Sequence, residues 1–219
     1  MESLVATRTS LHAVAEQVLA GDLHRRTGRI GLRRTAGGFG QPELLIDGRR
    51  WRLRLQLDRL VVLDGDVETW HPLTTLEAVA ASAGTVAAPP VGVYEPQTSL
   101  SAGDPLVVDP AAARRLAAVF AFGESVIEEF RARFAASGPS LLQLWPEHFD
   151  LACSASEVNY GISPGDAGHP EPYLYVGPWT VPKGPDCNET WGRSLPWNVS
   201  RSESTALQFL ESGRTDATA

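Results

Sequence analysis

Lysine is almost missing from this chain: Lys183 stands alone, and every other basic residue is Arg. Cysteine is nearly as scarce. Cys153 and Cys187 lie far apart, with no C-x-x-C and no Cys/His spacing around them, which excludes a disulfide framework and a zinc module and predicts two unrelated reduced thiols. No apolar run approaches the ~18 residues that a membrane span requires. The opening "MESLVATRTSLHAVAEQVLAG" lacks a basic start, an apolar block and a small-residue cleavage site, so the expectation is a cytoplasmic protein without a membrane partner. The sequons at Asn188 and Asn198 carry no weight without an export route. A G-x-G-x-x-G after a strand, regular strand-helix alternation and solenoid-type repeats are also lacking, which excludes a doubly wound parallel sheet and a repeat array.

What is present is enough for a sizeable core: 43% of 219 residues are hydrophobic, ample for one large domain. Charge is unevenly placed. Residues 1–59 hold 11 Arg against 6 Asp/Glu, whereas residues 60–219 hold 8 Arg/Lys against 20 Asp/Glu, within a net charge of −7. An acidic whole disfavours nonspecific nucleic-acid binding, although a local basic face can still recognise an anion. Arg in place of Lys, with abundant Ala, Gly and Pro, fits a GC-rich bacterial genome.

The elements read in order. Thr9 or Ser10 caps a helix over "LHAVAEQVLAGDLHRR" that stops at Gly28, with Leu11, Val14, Ala15, Val18 and Leu19 on one face. Alternating segments "RIGLRR", "ELLID", "RRWRLRLQL" and "RLVVLDG" predict an antiparallel meander turning at Asp47-Gly48 and Asp64-Gly65. In the third strand Trp51, Leu53, Leu55 and Leu57 face a core, opposite Arg50, Arg52, Arg54 and Gln56. A short capped helix at 74–83 and a Pro/Gly/Ser-rich connection from Ala87 to Gly103 follow. Asp109-Pro110 opens a long helix to about Ala136, then come strand-like "LLQLWP", "FDLACSA", "EVNYGIS" and "PYLYVGPW" and a last helix from Glu203 to Glu211. This order predicts an α+β fold: antiparallel sheets, a long central helix and N- and C-terminal helices. It is read as one domain over 1–219, with sub-halves 1–86 and 104–213 on either side of the connection.

Four patterns bear on chemistry. Gly161-Ile162-Ser163-Pro164-Gly165 spells a hydrolase nucleophile elbow. Pro164, however, removes the amide that would serve an oxyanion, and the residues after it cannot start a helix, so Ser163 reads as part of a turn. In "WPEHFD" and "DAGHPE", period-two alternation would put His148 with Asp150, and His169 with Glu171, on common strand faces. That set suits a divalent metal of unknown identity or general acid-base work, and equally suits capped turns around the prolines. Trp145, Phe149, Tyr160, Tyr173, Tyr175 and Trp179 wall a ligand pocket or fill a core. Arg29, Arg33, Arg50, Arg52 and Arg54 form an anion site or a solvated sheet face.

The blocks Trp145 to Leu151, Asn159 to Asp166 and Pro170 to Val176, with Glu129 to Phe134 and Ala206 to Glu211, make the chain resemble a bacterial protein family. That family carries WPxHFDL, N[FY]GxSxGD and PEPYxYV motifs. The resemblance implies a single domain with a region of interest at 145–176, and no reaction. The expectation is a protein binding a small polar or anionic molecule in a cleft near 145–176. Trp145, His148, Asp150, Asn159, Tyr160, Asp166, His169, Glu171 and Tyr173 are its candidate ligand-binding residues. A metal-dependent hydrolase or lyase using His148, Asp150, His169 and Glu171, or a protein-protein interaction module, are the alternatives.

Overall fold

A computed structural model describes residues 2–180, 187–197 and 202–218, with side chains to residue 213. Lys183 and the Asn198 sequon lie outside the described residues. The fold is α+β, with two antiparallel sheets. It divides into two compact units, residues 1–118 with 144–149, and residues 119–143 with 150–219. The Ala87–Gly103 connection belongs to the first unit, and the division falls inside the long helix.

In the first unit, α1 (Glu2–Val14) runs without a break through a π-helical turn (Ala15–Ala20) into α2 (Gly21–Thr27). The helix therefore starts before Thr9 and Ser10, and neither caps it. Their neighbourhood is buried, and the hydroxyls of Ser10 and Thr7 accept the N–H groups of Val107 and Asp109 at 2.9 Å each, satisfying amides of an irregular segment that has no ladder of its own. The stop is as expected: Gly28 takes φ 72° and its N–H closes on His24 O at 2.8 Å, the left-handed cap that glycine adopts without a Cβ clash.

The first sheet holds β1 (Arg33–Thr35), β2 (Gly38–Gly40), β3 (Leu44–Ile46), β4 (Arg49–Gln56), β5 (Arg59–Asp64) and β6 (Val67–Pro72). Its order is β1-β2-β4-β5-β6, with β3 also on β4. Leu53 and Leu55 are buried as the alternation requires. Leu57 is not on the strand: it sits in the β4–β5 turn at φ 55°, because the hairpin closes at Gln56 and Arg59. α3 (Leu76–Ser82) follows, capped by the Thr75 hydroxyl on Ala78 N at 3.2 Å.

α4 (Pro110–Arg133) opens as predicted, with Asp109 Oδ1 accepting Ala112 N–H at 2.8 Å, and β7 (Gln143–Trp145) straddles the division. The second unit's sheet runs β11-β10-β9-β8, from β8 (Asp150–Ala155), β9 (Val158–Ser163), β10 (Tyr173–Pro178) and β11 (Arg193–Pro196). One face of this sheet is apolar: Leu151, Cys153, Val158, Tyr160, Ile162, Leu174 and Val176 are all at most 1% exposed. Gly123 of α4 admits Ile162, whose Cγ2 would stand 2.2 Å from any added Cβ. Phe130 packs on Tyr160 with ring centroids 4.6 Å apart. α5 (Glu203–Thr218), longer than the predicted segment, lays Gly213 against Val176.

Candidate functional site

Because directly paired residues share a sheet face, the register puts Tyr173 with Ser163, and Tyr175 with Gly161, Ala152 and Ser194, on the side opposite the apolar one. Alternation adds Asp150, Ser154 and Asn159. This face is polar and aromatic. The Tyr175 ring lies across β9, which only a glycine permits: a Cβ at residue 161 would stand 2.5 Å from Cε1 and Cζ of Tyr175. From there Tyr175 Oη donates to Asp150 Oδ2. Tyr173 Oη donates to Asp166 Oδ2 at 2.6 Å, so two phenols are matched to two aspartates.

The turn from 164 to 172 aims these groups. Asp166 Oδ1 accepts the N–H of Gly168 at 2.7 Å and of His169 at 2.8 Å, and Asp166 N–H returns to His169 O at 2.7 Å. The His169 ring lies tilted beside Tyr173, centroids 4.9 Å apart, and its Nε2 donates to Glu189 Oε1 at 2.9 Å. Ser194 Oγ donates to the same oxygen at 2.7 Å. Both amide ends of Asn188 bond to Ser194, to its carbonyl at 3.0 Å and its N–H at 2.9 Å. Asn159 Oδ1 accepts from Ser154 Oγ at 2.7 Å and Trp179 Nε1 at 3.0 Å.

Electrostatics follow from these partners. Burial works to raise the Asp166 carboxyl, but the Tyr173 hydroxyl and the two backbone N–H groups hold it below its ordinary value. Both phenols are raised, first by burial and then by the aspartates they face. They stay protonated donors at neutral pH.

Comparison with protein-family models, with curated proteins and with solved structures returns no match.

Ser163, Ser194 and Cys153 are not armed as nucleophiles. Ser163 is buried at the end of β9, its hydroxyl accepts Gly165 N–H at 3.1 Å, and the next regular element is a strand, so the elbow spelling has no elbow. Ser194 and His169 both donate to Glu189, which leaves no serine-to-histidine relay. Burial pushes the Cys153 thiol up to about 12, far from the thiolate that reacts.

The expected metal set depended on two strands that do not begin where the pattern placed them. Phe149 takes φ 54° between His148 and Asp150 and breaks their alternation, and His169 and Glu171 lie in the irregular segment before β10. Asp150 is engaged by Tyr175 and His169 by Glu189. Among the described residues no group of three or more His, Cys, Asp or Glu side chains is placed to hold a metal ion.

Of the expected ligand residues, Asp150, Asn159 and Tyr173 lie on the polar face and Asp166 and His169 bond along it, while Glu171 is half-buried beside it. Tyr160 is on the opposite face and wholly core. Trp145 and exposed His148 belong to the first unit. The Arg strand is paired off as a solvated face: Arg50 with Glu43 at 2.9 Å and Asp66 at 3.4 Å, Arg54 with Glu68 at 3.1 Å, and Arg52 Nε on Gln41 O at 3.1 Å.

Sequence reasoning missed a buried cluster in the first unit. His12 stacks face-on against Phe149 (5.0 Å, 8°) and donates Nε2 to Pro146 O at 2.8 Å. Burial lowers its pKa to about 4. Glu16, fully buried within the π-helical turn, accepts from Gln97 N at 2.7 Å, Thr98 N at 3.1 Å and Thr98 Oγ1 at 2.6 Å. Burial raises its carboxyl against those donors. The spacing of His12 and Glu16 by one helical turn was the available signal. An open groove of about 750 Å³ between α4 and α5 holds Glu128, Glu129, Arg133, Glu203 and Glu211, whose exposed ion pairs contribute little.

Proposed function

We propose that this chain binds a small polar molecule on the polar-aromatic face of β8–β10, and that it is a bacterial cytoplasmic protein of the family whose motifs it resembles. The pairing of Tyr173 with Asp166 and Tyr175 with Asp150 on one face carries the reading. A sheet face that served only as scaffold gains nothing from a buried carboxylate such as Asp150, because it needs donors to offset its desolvation. Binding is favoured over catalysis, since Ser163 and Ser194 are engaged in hydrogen bonds and burial raises the Cys153 thiol and holds the phenols protonated. The carboxylates favour an uncharged or cationic molecule over an anion.

Ligand-observed NMR with a panel of neutral, cationic and anionic metabolites tests this. At least one member is expected to bind wild type and to lose binding in Tyr175→Phe and in Gly161→Ala, which displaces the Tyr175 ring. If no member binds in a way those two variants diminish, the reading is wrong.

A further inference from the structure

Resting on that reading, we infer that the ligand class is an organic ammonium cation, held over the three rings Tyr173, Tyr175 and Trp191. The ring centroids form a nearly equilateral triangle: 6.3 Å from Tyr173 to Tyr175, 6.3 Å from Tyr173 to Trp191 and 6.0 Å from Tyr175 to Trp191. The Tyr175 and Trp191 planes stand at 89°, so they present an edge and a face in different directions. A cation seated about 3 Å above the triangle would lie roughly 4.7 Å from every centroid, inside the ~6 Å within which a ring that turns its face to the cation attracts it.

Charge points the same way. Asp150, Asp166 and Glu189 border these rings through their bonds to Tyr175, Tyr173 and His169. The described arginines of this unit are engaged elsewhere. Arg131 and Arg133 pair with glutamates along α4 and α5, and the Arg193 guanidinium lies over Phe209. His169 already sets a ring nitrogen against Glu189 and another 3.8 Å from Asp166, so the face accommodates nitrogen donors between carboxylates. Both phenol O–H groups are committed to carboxylates. What the face still offers a ligand is ring surface and negative charge, which select a positive group over a neutral polyol.

The probe is choline chloride, titrated calorimetrically at constant ionic strength against sodium chloride, its uncharged isostere 3,3-dimethylbutan-1-ol, and a neutral polyol. Saturable choline binding at least about tenfold tighter than the isostere is expected. It should weaken about tenfold in Trp191→Ala and largely persist in Trp191→Phe, which keeps a ring. Equal binding of choline and isostere overturns the cation assignment. Polyol binding sensitive to Tyr175→Phe, without choline binding, overturns it too while leaving the proposed face intact. No binding by any probe in the NMR panel or the titration removes both.

Discussion

Each unit of this chain sets ionisable side chains beside aromatic rings, the first burying them and the second leaving Asp166 partly in solvent. In the first, His12 is pressed against Phe149 and its pKa falls to about 4, while Glu16 is raised by burial despite three donors. In the second, donors outweigh burial at Asp166 and hold its carboxyl below its ordinary value. Desolvation governs one cluster and hydrogen bonding the other. The first unit's cluster acts as structure: a neutral histidine and a carboxylate that ties the 97–98 segment to a helix. The second keeps its charge at a partly open face, where charge can meet a ligand.

Acid should separate them most. A histidine at about 4 in the folded state and 6.5 unfolded means the unfolded chain binds more protons between those values. Stability is therefore full above about pH 6.5 and falls as pH drops towards 4, by on the order of 3 kcal/mol. Urea denaturation at pH 7 and pH 4.5 measures this, and His12→Gln, which keeps an N–H for Pro146 O, should flatten the difference. Asp166 acts in a lower window. Its depressed carboxyl contributes stability that is complete above its unfolded value and lost as pH falls through the folded one. Asp166→Asn should alter the unfolding curve there and leave the His12 window unchanged.

Two tyrosines give a sharper contrast. Tyr175 Oη donates to Asp150, whereas Tyr94 Oη is buried with no hydrogen-bond partner among the described residues. Tyr175→Phe should destabilise by about 2 kcal/mol, the range for a lost bond to a charged group. Tyr94→Phe should be neutral or stabilising, because it removes a buried unmatched hydroxyl. Equal losses in the two variants, read from denaturation midpoints, would contradict this account.

Much of the fold was legible because its signals are local. Gly28, Asp47-Gly48 and Asp109-Pro110 each specify a backbone geometry within a few residues, and the structure uses them so. The polar face was half legible. Period two put Tyr173 and Tyr175 together and Leu174 opposite, and it separates Asn159 from Tyr160, but it does not say which of those two faces the core until α4 is seen to cover the Tyr160 side. The expected metal set does not come together among the described residues for two reasons: a left-handed Phe149 contradicts the propensity of a bulky side chain and breaks the alternation of His148 and Asp150, and His169 and Glu171 precede β10 in an irregular segment. The burial of His12 was unreadable for a different reason: beyond its one-turn spacing to Glu16, its partners Pro146 and Phe149 lie more than 130 residues away in sequence, and no periodicity reports such a contact.

The smallest effect compares one hairpin from each unit. Both β3–β4 and β8–β9 close through two residues with positive φ, Asp47-Gly48 at 49° and 77° and Ser156-Glu157 at 51° and 62°. The first pair has the chemistry such a turn favours, and the second does not: a glutamate in the left-handed region is held there by the strands on either side. The backbone role of Glu157, accepting Trp179 N–H at 2.8 Å, needs no side chain. Replacing Ser156-Glu157 by Asp-Gly should therefore stabilise the protein by about 1 kcal/mol, and Gly48→Glu should destabilise it by a similar amount. If thermal midpoints moved the same way in both variants, side-chain contacts rather than backbone strain would have to govern these turns.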